Sequence, residues 1–269
     1  MTDKATLLSQ ELKQITLPYR DNPLLTQVLD LVNANEEIRT LWQIANVVAL
    51  QRMGLTDHGI LHFNIVANNA LKITRLLLKK DVILSACRDY KLSEQQAEVI
   101  VLLASLLHDI GMSIHRQNHE EFSLFLANPL LHEVLAFLPT HERTIMISET
   151  LHAIISHRSD GKPFTLEAGI VRIADALDMT EGRSRFPYEE NKIDIHSVSA
   201  RAIDSVEILP SRKTPIKIEI TMNHTAGLFQ IDELLKKKIV GSGLEKYLEI
   251  KIFIDKGNGK QLFKDFYQK

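Results

Sequence analysis

The sequence predicts a mainly α protein: a helical bundle followed by a small α+β domain. Apolar residues recur at helical spacing almost without interruption up to about residue 180. Beyond Pro187 the pattern switches. "SVEILP", "PIKIEITM" and "YLEIKIFIDK" alternate apolar with polar residues and are rich in isoleucine, as half-buried strands are. A third observation is local: the apolar run over 99–107 in "VLLASLLHDIGM" ends abruptly in an imidazole and a carboxylate, with a glycine close behind.

Residues 5–16 read as a short amphipathic helix, closed by a turn at Pro18 and Pro23. Helices over 24–33 and 36–52 follow, the second stopped at Met53-Gly54, where glycine suits a helix end. Asp57 is placed to cap a long helix from 58 to about 80, with apolar residues at 61, 65, 66, 73, 76 and 77. Ser93-Glu94-Gln95-Gln96 is a capping box opening a helix over 94–109. Further helices are expected over 119–127, 130–138, 141–157 and 166–179. Between the second and third strands, "GLFQIDELLKKKIVGSGLE" has helical spacing and a glycine stop, so the ending reads as an antiparallel sheet with one covering helix. Gly257-Asn258-Gly259 marks a last turn before "KQLFKDFYQ". The division falls near 190, with a helical domain over 1–190 and an α+β domain over 191–269, the latter a dimerisation or substrate-covering unit.

The 269 residues are 45% hydrophobic and 25% charged, with a formal net charge of -2, the composition of an ordinary globular chain. With a pI of about 6.6, no global charge argues for nucleic-acid or membrane binding. Cys87 is the only cysteine, which excludes intrachain disulfides and thiolate zinc clusters. The start "MTDKATLLSQELKQ" is unlike a signal peptide, and no apolar stretch is seen to approach the roughly 20 residues of a membrane span, so the expected compartment is the cytoplasm. Histidine is the useful excess: nine of the eleven lie between positions 58 and 157.

A charged pair at the end of a core helix needs a partner, because burying an uncompensated charge is costly. His108-Asp109 is such a pair. His58 lies 50 residues upstream in "GLTDHGILHF", and Asp175 lies 66 residues downstream in "VRIADALDMTEGR". The order His…His-Asp…Asp, carried by "DHGILHFNIVANNAL", "LLHDIG" and "RIADALD", resembles the HD-domain metal-dependent phosphohydrolases, of a prokaryotic type with an appended C-terminal α+β unit. The resemblance covers about residues 50–185. It implies that His58, His108, Asp109 and Asp175 converge on one divalent metal, with Asp109 and His108 at the catalytic centre and Asp109 orienting water. Nitrogen and oxygen donors suit Mn, Fe, Zn, Co, Ni or Mg rather than a soft, thiophilic ion.

Some relatives add histidines after the central motif. His119 and His157 occupy comparable places and are candidates for a second metal or for phosphate, with His152 a weaker third that pairs better with Glu149. His62 reads as a pocket-lining or core residue, and Asp178 as a supporting one. His132, His141, His196 and His224 read as surface or cap residues. Many relatives have His-Asp-x-Gly-Lys, but Met112 stands in place of that lysine here. Another cation must then meet phosphate, and the candidates are Arg52, His115, Arg116, Arg158, Lys162, Arg183 and Arg185. The Gly-Tyr-Pro element of the cyclic-dinucleotide phosphodiesterases is missing after His157, so that activity does not carry over.

The leading expectation is a hydrolase of a phosphate mono- or diester of a small molecule, a nucleotide first of all, with manganese among the candidate metals and a homodimer as the assembly. Two alternatives stand beside it: a non-catalytic nucleotide-binding regulatory module and a di-iron oxygenase. "LLKKK" offers a small basic patch, read as a solvated helix face, and no nucleic-acid-binding pattern of clustered aromatics is present.

Overall fold

The computed structural model describes residues 14–158, 160–179, 199, 201–255, 257 and 259–266. Asn22 opens α1 (Pro23–Ala34): its side chain accepts the Leu25 N–H at 3.0 Å, and Pro23 sits at the start, where a missing N–H is harmless. Asn35 ends α1 and caps α2 (Glu36–Asn46), which runs on as a wide π-helical turn, Val47–Arg52. Then come α3 (Ile60–Leu78), α4 (Ser85–Tyr90), α5 (Glu94–Leu107), α6 (His119–Val134), α7 (Thr140–Ser156) and α8 (Leu166–Ala176).

The axis of the bundle is α5. The expected capping box is formed by Ser93 and Gln96, and every residue from Ala97 to Leu107 is buried. A helix apolar on all sides must be surrounded, and α1, α3, α7 and α8 pack around it. The stretch Glu94–Ser113 is in fact long and apolar enough to cross a bilayer, which corrects the expectation, but 89% of its most apolar 18-residue window is buried within the protein. Trp42 pins α2 beside the end of α5 by donating its indole N–H to the Leu106 carbonyl at 2.8 Å.

The helix boundaries differ from expectation where side chains compete with the helix. α3 begins at Ile60, because Asp57 accepts the Gly59 N–H at 2.8 Å instead of capping a helix that starts at 58. His58 therefore lies in the preceding loop. The expected pair over 119–127 and 130–138 is one helix, α6, which continues through Pro129. Phe125, whose carbonyl loses its helical partner to that proline, is 75% exposed. α4, too short for a periodic signal, was not anticipated. The expected 5–16 helix lies almost wholly, and the 190/191 boundary entirely, outside the described residues.

The C-terminal part has four strands, β1 (Ile203–Pro210), β2 (Ile216–Met222), β3 (Leu248–Asp255) and β4 (Lys260–Phe266), in that spatial order. The outer pairs are antiparallel, but β2 and β3 are parallel, with Ile218 opposite Ile250. The sheet is thus mixed, correcting the antiparallel expectation. A parallel pair needs a crossover, and helix α9 supplies it through Gly227–Gln230, a π-helical middle Ile231–Lys236, and Lys237–Ile239.

Ile216, Ile218 and Ile220 of β2 and Ile250 and Ile252 of β3 belong to the same buried cluster as Leu71, Leu102 and Ile170 of the bundle. Two contacts lock α8 to the end of α9. A Cβ on Gly169 would lie 2.1 Å from the Ser242 carbonyl oxygen, so only glycine permits that approach. Arg172, 2% exposed, donates to the Lys237 carbonyl at 3.2 Å and to the Gly161 carbonyl. Gly169→Ala should therefore push the two layers apart and cost about 1–3 kcal/mol, read as a lower urea midpoint with an unchanged slope.

Candidate metal centre

The break after α5 is built by a glycine and a serine. His108 caps the helix, Asp109 leaves it at φ -109° and ψ 7°, and a 3-10 turn follows over Ile110–Ser113. A Cβ on Gly111 would lie 2.0 Å from the His119 carbonyl oxygen and 2.5 Å from the Ser123 nitrogen. This glycine lets the first turn of α6 press against the loop. Ser123 ties the two together, accepting the Gly111 N–H at 2.9 Å and donating its hydroxyl to the His108 carbonyl at 2.7 Å. That docking brings His119 to Asp109.

Five imidazoles gather around Asp109, and each is oriented through its Nδ1. The Nδ1 of His58 meets the Thr56 carbonyl at 2.7 Å, His108 that of Ser105 at 2.9 Å, His119 that of Arg116 at 2.9 Å and His157 that of Ile154 at 2.6 Å. For His62 the partner is the Asp178 carboxylate, at 2.6 Å. A carbonyl or carboxylate can only accept, so each Nδ1 carries the proton and each Nε2 is turned inward as a donor of electrons. A carboxylate behind a histidine is a common support for a metal-bound imidazole.

The Nε2 atoms approach Asp109 from both of its oxygens, and His157, which also lies within 4.8 Å of His108 and Asp175, links the two sides. On the Oδ2 side, His62 lies at 3.6 Å and His108 at 3.5 Å, and the two Nε2 atoms are 3.2 Å apart. Asp175 closes this group, its Oδ1 being 3.5 Å from His62 and 3.7 Å from His108. On the Oδ1 side, His119 lies at 3.0 Å and His157 at 3.3 Å. Donors held about 2.0–2.2 Å from one ion lie at most about 4.4 Å apart, so both groups have the right span. Asp109 Oδ1, although buried, has no hydrogen-bond partner among the described residues. A buried carboxylate oxygen ringed by imidazole nitrogens fits a cation, a proton or a metal ion, between them, and the nitrogen and oxygen donor set fits a first-row divalent metal.

The electrostatics agree. Burial would raise the carboxyl of Asp109, but His108 and His119 hold it well below the usual range. Asp175 is likewise held low against burial, chiefly by Lys238 and then His108. Burial alone would lower His119, yet the Asp109 charge lifts it above its ordinary value, a proton standing where a metal ion would bind. Burial pushes His157 below its ordinary value although Asp109 pulls the other way.

Of the expected residues, His108, Asp109, Asp175, His119 and His157 come together. His58 reaches Asp109 Oδ2 only at 3.8 Å and joins none of the three-residue groups whose donor atoms lie within 4.8 Å of one another. His62 takes the central place that the sequence reading gave to His58. The signal was available: His62, Val66, Ala70 and Thr74 form one buried stripe on α3, whereas Gly59 separates His58 from that helix. His152 is not brought in; its Nε2 accepts the Phe164 N–H at 3.0 Å and its ring stacks on Phe164. His115 is exposed and bonded within its own loop to Gln117. Arg52 and Lys162 are exposed, and Arg158 is paired with Glu121 and Asp160. Arg116 borders the second group, 3.2 Å from His119 Nδ1. Arg183, Arg185 and His196 lie outside the described residues. The missed residue is Lys238 of α9, whose ammonium pairs with Asp175 Oδ2.

Such an array at the end of a core helix is the arrangement of an HD domain, and the HD domain family matches residues 62–180, beginning at His62. The chain belongs to this family, a superfamily of mostly metal-dependent phosphohydrolases. It is 40% identical over 230 residues to the uncharacterized protein MJ1020 of Methanocaldococcus jannaschii, covering 85% of this chain and 89% of that protein.

His62→Ala should lower the metal content severalfold, whereas His58→Ala should leave it close to wild type, as read by elemental analysis of the purified variants. Asp178→Asn should weaken metal binding about ten- to a hundredfold while leaving every donor in place. The sign of the pH dependence follows from His119. A metal needs the neutral imidazole, and a raised pKa keeps the proton on to higher pH. Metal loading, followed by titration from about pH 8 to about pH 5.5, should therefore begin to fall above the ordinary imidazole value of about 6.5.

Proposed function

We propose that the chain is a phosphohydrolase that cleaves a phosphate mono- or diester of a small molecule, with a nucleotide as the substrate class. The observation that carries this reading is Asp109, one carboxylate with His62 and His108 near one oxygen and His119 and His157 near the other. His62, His108 and Asp175 would hold one divalent ion with Asp109, and His119 and His157 a second through its other oxygen. Bound there, such ions acidify water and neutralise the charge that develops on a phosphoryl group.

The chain's own residues do the rest. The backbone carbonyls behind His108, His119 and His157 and the carboxylate behind His62 hold the rings in one orientation, so little rearrangement accompanies the reaction. His58, outside the donor groups but beside Asp109, is placed to accept a proton at its inward-facing Nε2 from the water that attacks. The buried walls of α3, α5 and α8 exclude water from the inner side of the centre.

The test is a panel of nucleotide mono- and diesters offered to the purified chain loaded in turn with manganese, cobalt, zinc, iron and magnesium. Phosphate release or diester opening is expected with at least one metal. Asp109→Ala and His108→Ala should each lower it about a thousandfold or more, a loss of several kcal/mol in transition-state stabilisation. Full turnover in either variant would sink the assignment. Oxygen uptake by the iron-loaded protein with no phosphate chemistry would point to an oxygenase instead.

A further inference from the structure

Lys238 is the one lysine of its run that faces inward. Its neighbours Lys236 and Lys237 pair along α9 with Asp232 and Glu233, each four residues earlier, and are at least half exposed. The Lys238 side chain is 12% exposed, and its ammonium pairs with Asp175 Oδ2. Oδ1 of that same carboxylate faces His62 and His108. The ammonium thus borders the metal-binding donors through the second oxygen of Asp175, and it comes from the crossover helix of the C-terminal α+β region.

This placement is held firmly. Arg172 bonds the Lys237 carbonyl, one residue away, and Gly169 lets α8 close onto Ser242 just past the end of α9. Arg116 lies behind His119, against its Nδ1, rather than on a carboxylate of the centre. Met112 is fully buried against Ala45 and Ala49. Arg158 is neutralised by acidic neighbours, and Arg52 and Lys162 point into solvent.

We infer that Lys238 is the anion contact of the centre: it rests on Asp175 while no cation is bound there and turns to a phosphoryl oxygen once Asp175 serves a metal. The reason is charge balance. A carboxylate shared with a divalent ion binds an ammonium less strongly, while a phosphate brought to that ion carries fresh negative charge. The four-carbon stem of lysine allows the short swing between the two oxygens. The inference rests on the phosphohydrolase reading, which it deepens by naming the residue that recognises the phosphoryl group.

The test uses the full chain loaded with manganese, wild type beside Lys238→Met and Lys238→Arg, with inorganic phosphate titrated calorimetrically. Metal content and thermal melting are recorded on the same samples. The Met variant is expected to keep both ions and lose phosphate affinity about ten- to a hundredfold, with KM for an ester rising in parallel, and the Arg variant to recover much of the loss. Should the Met variant shed its metal or unfold, Lys238→Gln, which keeps a hydrogen-bond donor for Asp175, is read in its place with the same expectation. Equal phosphate affinity with and without the ammonium overturns the inference, even if esters are hydrolysed. Phosphate captured through Lys238 with no ester cleaved would instead overturn the hydrolytic reading and leave this contact standing.

Discussion

A carboxylate taken out of water must find its hydration replaced by donors or positive charge, and Asp109 finds imidazoles on both sides. Its position follows from a chain of backbone constraints. α5 is too apolar to continue past the core, Gly111 has no side chain to hold α6 away, and Ser123 stitches the turn to the helix. The rings are then fixed from behind, each by an acceptor on its Nδ1. The centre is rigid because its supports belong to the backbone of the same helices that carry its donors.

The same logic explains why the two sides of Asp109 differ. The His62 side is bordered by further carboxylates, Asp175 and Asp178, and by the ammonium of Lys238. The His119 side opens toward Arg116 and the loop after α7. Donor identity is alike on both sides, but surrounding charge is not. Two ions held there would meet different environments, a condition that suits one to structural tenure and the other to exchange.

Much of this was legible in the residues. The apolar run of α5, the capping box at Ser93 and the isoleucine alternation placed the core helix and the strands. The motif around His108 and the helix ends bearing His119 and His157 placed most of the centre. What escaped depended on tertiary choices. His58 and His62 are one helical turn apart, and only the Gly59 break and the buried stripe through Val66 distinguish them. A proline at 129 normally ends a helix, but here the interrupted turn faces outward. Strand direction is set by the whole path of α9, which periodicity does not report. Lys238 was hidden by its neighbours, since a run of three lysines gives no hint that one of them turns inward.

The parallel pairing of β2 and β3 has a consequence for how the molecule comes together. Strands that far apart in the chain pair only after the intervening helix has crossed the sheet, and such non-local contacts form late. α9 is that crossover, and Lys238 travels with it. The imidazoles and Asp175 come from the helical part of the chain, and the ammonium that meets them comes from the crossover between β2 and β3. The crossover that makes the sheet mixed is thus also what carries a positive charge to Asp175, so strand order and the charge of the centre are set by one segment.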